Sequence, residues 1–292
     1  MTYKHYFFAF AAIFFWSTVA TAFKIALESL TVPQLLLIAS VFSWLSLLVI
    51  VAINGKLGRI KAQFRQKPGY YLIVALFNPV LYYLALFKAY DLLPAQQALS
   101  LNYTWAVLLP LLAAPILKQS LTLKDISCAL IAYFGVVVIA TKGDFASMSF
   151  DSPLGVGLAL LSTLFWCGYW LLNTKAEGDA NVSLFISFSL AIPMLVIVNL
   201  GLNDWHPITL NGLMAGAYVG LFEMGITFAL WLQALKLAPK AASVSNLVFL
   251  SPILSIVWIA LILGEKIEVT TLVGLGFILA ALLFQKIGKA GS

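Results

Sequence analysis

Residues 209–236 read TLNGLMAGAYVGLFEMGITFALWLQALK, a helix-length run in which a single carboxylate, Glu223, interrupts an apolar stretch that closes on Lys236. Roughly 20 apolar residues cross the hydrocarbon core of a bilayer, so this run is read as a membrane-spanning helix. A charged group at the centre of such a helix costs about 2.5–3.5 kcal/mol on insertion scales unless it faces a partner or a watery cavity, and its default reading is functional. The remaining chain must supply whatever Glu223 faces.

The composition extends that reading outward. Of the 292 residues, 62% are apolar and 10% charged, and the mean hydropathy is +1.01, far from the balance of a soluble domain. Apolar runs bounded by Pro, Gly and charge predict ten helices over 6–27, 33–53, 69–90, 95–117, 122–141, 153–173, 182–202, 209–235, 241–263 and 268–286. The first run is too long for a signal-peptide core and carries no small-x-small cleavage pattern, so it is expected to remain as a helix. Cys128 and Cys167 fall inside apolar runs without a CxxC spacing, which predicts packing thiols with neither a disulfide framework nor a zinc site.

Charge sets the orientation. With the N-terminus inside, Lys4, Lys56, Arg59, Lys61, Arg65, Lys67, Lys118, Lys124, Lys175, Lys236, Lys240, Lys286 and Lys289 are cytoplasmic, 13 of the 17 basic residues. Lys142 and Lys266 fall outside, and Lys24 and Lys88 near outer helix ends. This bias predicts both termini in the cytoplasm. The basic loop 54–68 then reads as a topogenic, headgroup-facing segment, and no nucleic-acid partner is expected.

The ten runs also repeat. FFWST at 14–18 lies over LFWCG at 164–168, aligning Trp16 with Trp166 at an offset of 150; Phe77-Asn78 over Phe222-Glu223 and Leu93-Pro94-Ala95 over Ala238-Pro239-Lys240 share an offset of 145. Residues 117–140 lie over 263–284 at 146. Two units, 1–146 and 147–292, thus hold five helices each. An odd number per unit makes the second copy enter from the opposite side, giving inverted repeats with a site near the midplane between them. Asn78 and Glu223, mid-helix in the third and eighth runs, are expected to face each other across the pseudo-twofold axis.

Tandem five-helix units, an FW pair in the first helix of each, the Leu93-Pro94-Ala95 corner, and SPILSIVWIALILGEKI at 251–267 together resemble the EamA family of the drug/metabolite transporter superfamily. The resemblance covers residues 6–286, and its most specific piece is Pro252 followed twelve residues later by Gly264-Glu265. The first copy departs from the pattern, with LKQ at 117–119 in place of LGE and Ala106 in place of Pro252. LNYTWAVLLP at 101–110 is similar to the fourth helix of EamA exporters of aromatic amino acids. The resemblance implies an all-α integral membrane protein of ten helices around a central cavity, exporting small organic metabolites by alternating access.

Within that frame Glu223 is expected to bind a substrate ammonium or exchange a proton during transport; the alternative is a packing carboxyl between helices. Gly212, Gly216 and Gly220 form a small-xxx-small stripe beside it, serving an internal or an intermolecular contact equally, so no oligomeric state follows. Pro79 removes a backbone donor and kinks the helix at Asn78. Tyr82 follows Asn78 by four residues and Thr227 follows Glu223 by four, each pair sharing a helix face. Trp16, Trp166 and Trp170 in the first helices of the two units, and Tyr103 and Trp105 beside Asn102 in the fourth, are candidate walls for a metabolite; other aromatics belong to the interfacial belt. Lys24 and Glu28, one turn apart, read as a solvated ion pair with a gate contact as the alternative. His5 and His206 are peripheral.

An enzyme reading fares poorly, since serine or metal chemistry needs a histidine near its partners and aspartyl chemistry needs two acids at depth. The expected function is a secondary transporter exporting small polar metabolites, amino acids or related compounds, from a bacterial inner membrane. The alternatives are a multidrug or organic-cation exporter of the same fold, and a non-transporting scaffold. No cofactor or metal is expected; the partners are a small-molecule substrate, the lipid bilayer and protons if transport is proton-linked.

Overall fold

Capping side chains fix where several of the apolar runs begin as helices. Thr209 accepts from the Gly212 amide at 3.0 Å, Asp179 from the amides of Asn181 and Val182, and Thr122 from that of Asp125, whose carboxylate returns a bond to the Thr122 amide. Each satisfies donors that the first helical turn leaves free. The computed structural model describes residues 4–116, 118, 122–145, 152–173, 177–203, 205–238, 244 and 246–286. Leu117, Gln119, Lys175, Pro239, Lys240 and Lys289 of the patterns above, and the side chain of Lys286, lie outside the described residues.

The helices are α1 (Lys4–Leu27), α2 (Val32–Ile53), α3 (Arg59–Gln66), α4 (Pro68–Leu92), α5 (Ala95–Ile116), α6 (Leu123–Ala140), α7 (Pro153–Asn173), α8 (Ala180–Leu202), α9 (Leu210–Leu237), α10 (Leu247–Leu263) and α11 (Val269–Lys286). Among the described residues, eight are long and apolar enough to cross a membrane: α1, α2 and α4 to α9. The apolar parts of α10 and α11 are shorter. Of the run expected over 241–263, the described apolar helix is Leu247–Leu263, and residues 241–243 and 245 lie outside the described residues.

α3 had no counterpart among the expected helices, because an eight-residue amphipathic segment shows no apolar run. Arg59, Lys61 and Arg65 are exposed along it, while Ile60 and Phe64 pack against the core. Gln63 is buried and donates to Tyr71 Oη, Ser183 Oγ and the Asp179 carbonyl, while its own oxygen accepts from the Asp179 amide. Lys56 bonds the Asp179 carboxylate beside it. The basic loop is therefore fastened to the start of α8.

Burial would raise the Asp179 pKa, but the bonds from Lys56, Val182 and Asn181 outweigh it and hold the carboxyl below its ordinary value. A depressed folded pKa adds stability above the unfolded value, and that stability is lost as pH falls through the folded one. The unfolding midpoint of the protein in detergent is therefore expected to fall on acidification below about pH 4, and to fall less in Asp179→Asn; equal acid sensitivity in both proteins would contradict this.

Helix contacts come in matched pairs. α1 packs on α9 and α10, and α7 packs on α4 and α5, while α2 pairs with α8 and α6 with α11. At the α6–α11 crossing a side chain on Gly135 would meet the Gly274 carbonyl, and one on Gly274 would meet the Gly135 carbonyl. Only glycine at both positions lets the two backbones approach this closely.

Candidate functional site

Two helices depart from regular winding at aligned positions. α4 is kinked within Leu76–Leu81, where Pro79 lacks an amide and Asn78 adopts a non-helical backbone (φ −146°, ψ 118°); α9 widens into a π turn over Gly220–Gly225, around Glu223. Ring contacts repeat with them: Phe15 stacks on Phe222 at 4.4 Å, and Phe165 meets Phe77 edge-on at 6.0 Å. A π turn takes in an extra residue, so the i, i+4 geometry of a regular helix no longer decides which side chains share a face.

A cavity of about 110 Å³ lies where α1, α4, α5, α7, α9 and α10 converge. Trp16, Tyr82, Asn102, Tyr103, Trp105, Trp166 and Glu223 line it, joined by Phe23, Tyr90, Phe228 and the four aliphatic residues Val19, Leu86, Leu99 and Val248. Asn78, Trp170 and Thr227 are not among its walls.

Glu223 Oε1 accepts from Tyr83 Oη at 2.9 Å, and the Glu223 carbonyl accepts from Trp16 Nε1 at 3.3 Å. The first bond joins the two halves of the chain, but its partner is Tyr83 where Asn78 was expected. Asn78 is buried at the kink in α4, with Oδ1 lacking a hydrogen-bond partner among the described residues. Thr227 Oγ1 donates to the Phe222 carbonyl five residues back, so it satisfies the widened turn and is buried there. Trp170 stands one ring behind the cavity, edge-on to Trp166 at 6.0 Å. Tyr83, five residues after Asn78, was missed by a four-residue spacing; the adjacent Pro79 was the signal that the spacing changes.

The polar groups of the walls are arranged by their neighbours. Asn102 donates to Ser162 Oγ at 3.0 Å and accepts a long 3.5 Å bond from Tyr82 Oη. Trp166 is ringed by Tyr82 at 4.8 Å, Phe228 at 6.1 Å and Trp105 at 6.1 Å, and its indole N–H has no partner.

At one end of the bundle the corner between α4 and α5 is gripped from both sides. Lys24 Nζ donates to the carbonyls of Tyr90 and Leu93 at 2.8 and 2.9 Å, which corrects the expected pair with Glu28: two carbonyls at a helix C-terminus attract the ammonium. Glu265 accepts from the amides of Ala95 and Gln96 at 2.9 and 3.4 Å, and the Gln96 side chain bonds the Lys266 carbonyl and the Glu268 amide. The Gly264-Glu265 motif thus caps α5 from the opposite half. Removing such a cap costs about 0.5–2 kcal/mol, so Glu265→Ala should lower the unfolding midpoint in detergent, with Glu265→Gln, which keeps an acceptor, falling less.

The sequence model of the EamA-like transporter family matches residues 4–141 and again 153–285. An uncharacterized transporter of Clostridium kluyveri is 29% identical over 170 residues, covering 56% of this chain and 54% of that protein, so the match spans about half of its length. An uncharacterized transporter of Acidianus ambivalens is 26% identical over 212 residues, 70% of this chain and 79% of that protein. A crystal structure 20% identical in sequence superposes with a TM-score of 0.64 over 100% of both chains; at that identity the likeness carries the fold alone.

Proposed function

The chain belongs to the EamA-like transporter family, and on that premise we propose that this integral membrane protein is a secondary carrier that exports a small polar organic solute by alternating access. The observation that carries the reading is a small cavity holding one carboxylate and walled by helices from both halves. A scaffold has no use for such a cavity, and the family and its transporter relatives fit transport in preference to enzymatic turnover.

In this reading α10 and α11 complete ten spans, residues 1–146 and 147–292 form two inverted units, and both termini are cytoplasmic in a bacterial inner membrane. That α1 packs on α9 and α10 as α7 packs on α4 and α5 supports units that rock against each other. Small solutes that bear an ammonium group, the class to which amino acids and related compounds belong, are the candidates, and Glu223 meets that group or exchanges a proton. Counterflow into proteoliposomes, scored over a panel of amino acids, amines and neutral solutes, tests the carrier: saturable, stereoselective or size-selective exchange is expected, and its complete absence from protein that unfolds cooperatively would defeat the reading.

A further inference from the structure

The charge inventory of the cavity narrows the solute. Among its walls Glu223 is the one carboxyl group, and no Lys, Arg or His lines the cavity beside it. The nearest ammonium in the sequence of α1, that of Lys24, is held by two carbonyls at the α4–α5 corner. Only Tyr83 donates to the Glu223 carboxyl among the described residues, so the second oxygen is open to a ligand.

Aromatic faces supply the rest of the wall. Tyr82, Trp105 and Phe228 each lie 4.8–6.1 Å from Trp166, centre to centre, and all four rings line the cavity; ring faces attract cations within roughly 6 Å. The cavity's 110 Å³ is well below the roughly 300–1,000 Å³ of sites for drug-sized ligands. In this conformation the space is sized for a compact solute.

A zwitterionic amino acid fits half of this arrangement. Its ammonium would meet Glu223, but its carboxylate would be taken out of water against aromatic rings, whose faces are negative. No Lys, Arg or His among the walls supplies a compensating charge, and a buried charge without a counter-charge is strongly disfavoured.

We propose that the cavity of this carrier takes compact organic monocations, amines or quaternary ammonium compounds bearing at most neutral polar groups, in preference to amino acids. The proposal rests on the carrier reading above. It is tested in proteoliposomes by counterflow of tetramethylammonium, choline and ethylammonium beside glycine betaine, which keeps the trimethylammonium head of choline and adds a carboxylate, and beside alanine and a neutral and an anionic solute.

Saturable exchange of at least one monocation is expected, at least tenfold more efficient than that of betaine or alanine, and lowered at least tenfold in Glu223→Gln. Exchange of betaine or alanine equal to or above that of every monocation would overturn the solute class while leaving the carrier reading intact. So would unchanged cation exchange in a Glu223→Gln protein that unfolds like the unmodified one. Absence of exchange for all of the solutes would overturn both readings. The choline and betaine comparison needs only the unmodified protein, so a poorly folding variant leaves the test decisive.

Discussion

Glu223→Gln is expected to lower the efficiency of solute exchange by about 10- to 150-fold while leaving the fold nearly unchanged. Glutamine is isosteric and keeps an oxygen for the Tyr83 hydroxyl, whose bond at 2.9 Å ties α4 to α9. What disappears is the charge facing the cavity. A hydrogen bond to a charged group contributes about 1.5–3 kcal/mol, and 1.4 kcal/mol corresponds to a factor of ten. Initial rates of counterflow over a range of solute concentrations check the size of the loss, and the unfolding midpoint checks the fold. Equal rates at every pH would remove the electrostatic role assigned to Glu223. Tyr83→Phe provides the companion measurement: it keeps the carboxylate and loses only the bond that orients it, so a smaller loss is expected.

The second large effect is structural. Gly220→Val should destabilise the protein by about 1–3 kcal/mol or more, the range for adding volume to a packed interior. A Cβ at Gly220 would run into the Ala39 carbonyl oxygen and lie 2.9 Å from both the Ala39 carbonyl carbon and Phe42 Cβ. Backbone cannot rotate aside as a side chain does, so α2 must shift from the π turn that presents Glu223. Gly157→Ala is the matched control. It sits in α7 with nothing within 4 Å of a new Cβ, and replacing a helical glycine by alanine favours the helix by about 0.5–1 kcal/mol. Unfolding midpoints in detergent should therefore move in opposite directions for the two variants; a neutral Gly220→Val would show that α2 is not held against α9.

Much of the architecture was legible because a bilayer demands long apolar runs and tolerates few interruptions. The run at 153–173 coincides with α7, and that at 33–53 differs from α2 by one residue. α3 escaped notice for the opposite reason: its eight residues alternate charge with apolar anchors, and its burial depends on Gln63 finding Asp179 and Ser183 far along the chain. The cavity was read through residue type and repeat position. Trp16, Trp166, Asn102, Tyr103, Trp105, Tyr82 and Glu223 do converge on one space, since a polar or indole group at mid-depth has few other places to go.

The neighbours of Glu223 were harder to foresee. Asn78 was assigned by its repeat alignment with Glu223 and Thr227 by regular helical spacing, which the kink in α4 and the π turn in α9 alter, and Tyr83 became the carboxyl's partner instead. Lys24 was paired with Glu28 because both lie on one helix; the carbonyls it reaches belong to residues 66 and 69 positions away. Glu265 and the Leu93-Pro94-Ala95 corner were both noticed, yet only coordinates reveal that one caps the other.

The bonds made by α1 bear on how the chain is assembled during synthesis. Trp16 Nε1 waits for a carbonyl 207 residues later, Thr18 for the Tyr218 hydroxyl 200 residues later, and Ser17 for the Trp258 indole 241 residues later. Ser17 and Thr18 have carbonyls of their own helix to use meanwhile, at Phe14 and Phe15; the Trp16 indole has none. α1, made before the helices that satisfy it, is thus among the last to be completed, and a first half made alone would carry an unsatisfied indole facing where α9 belongs.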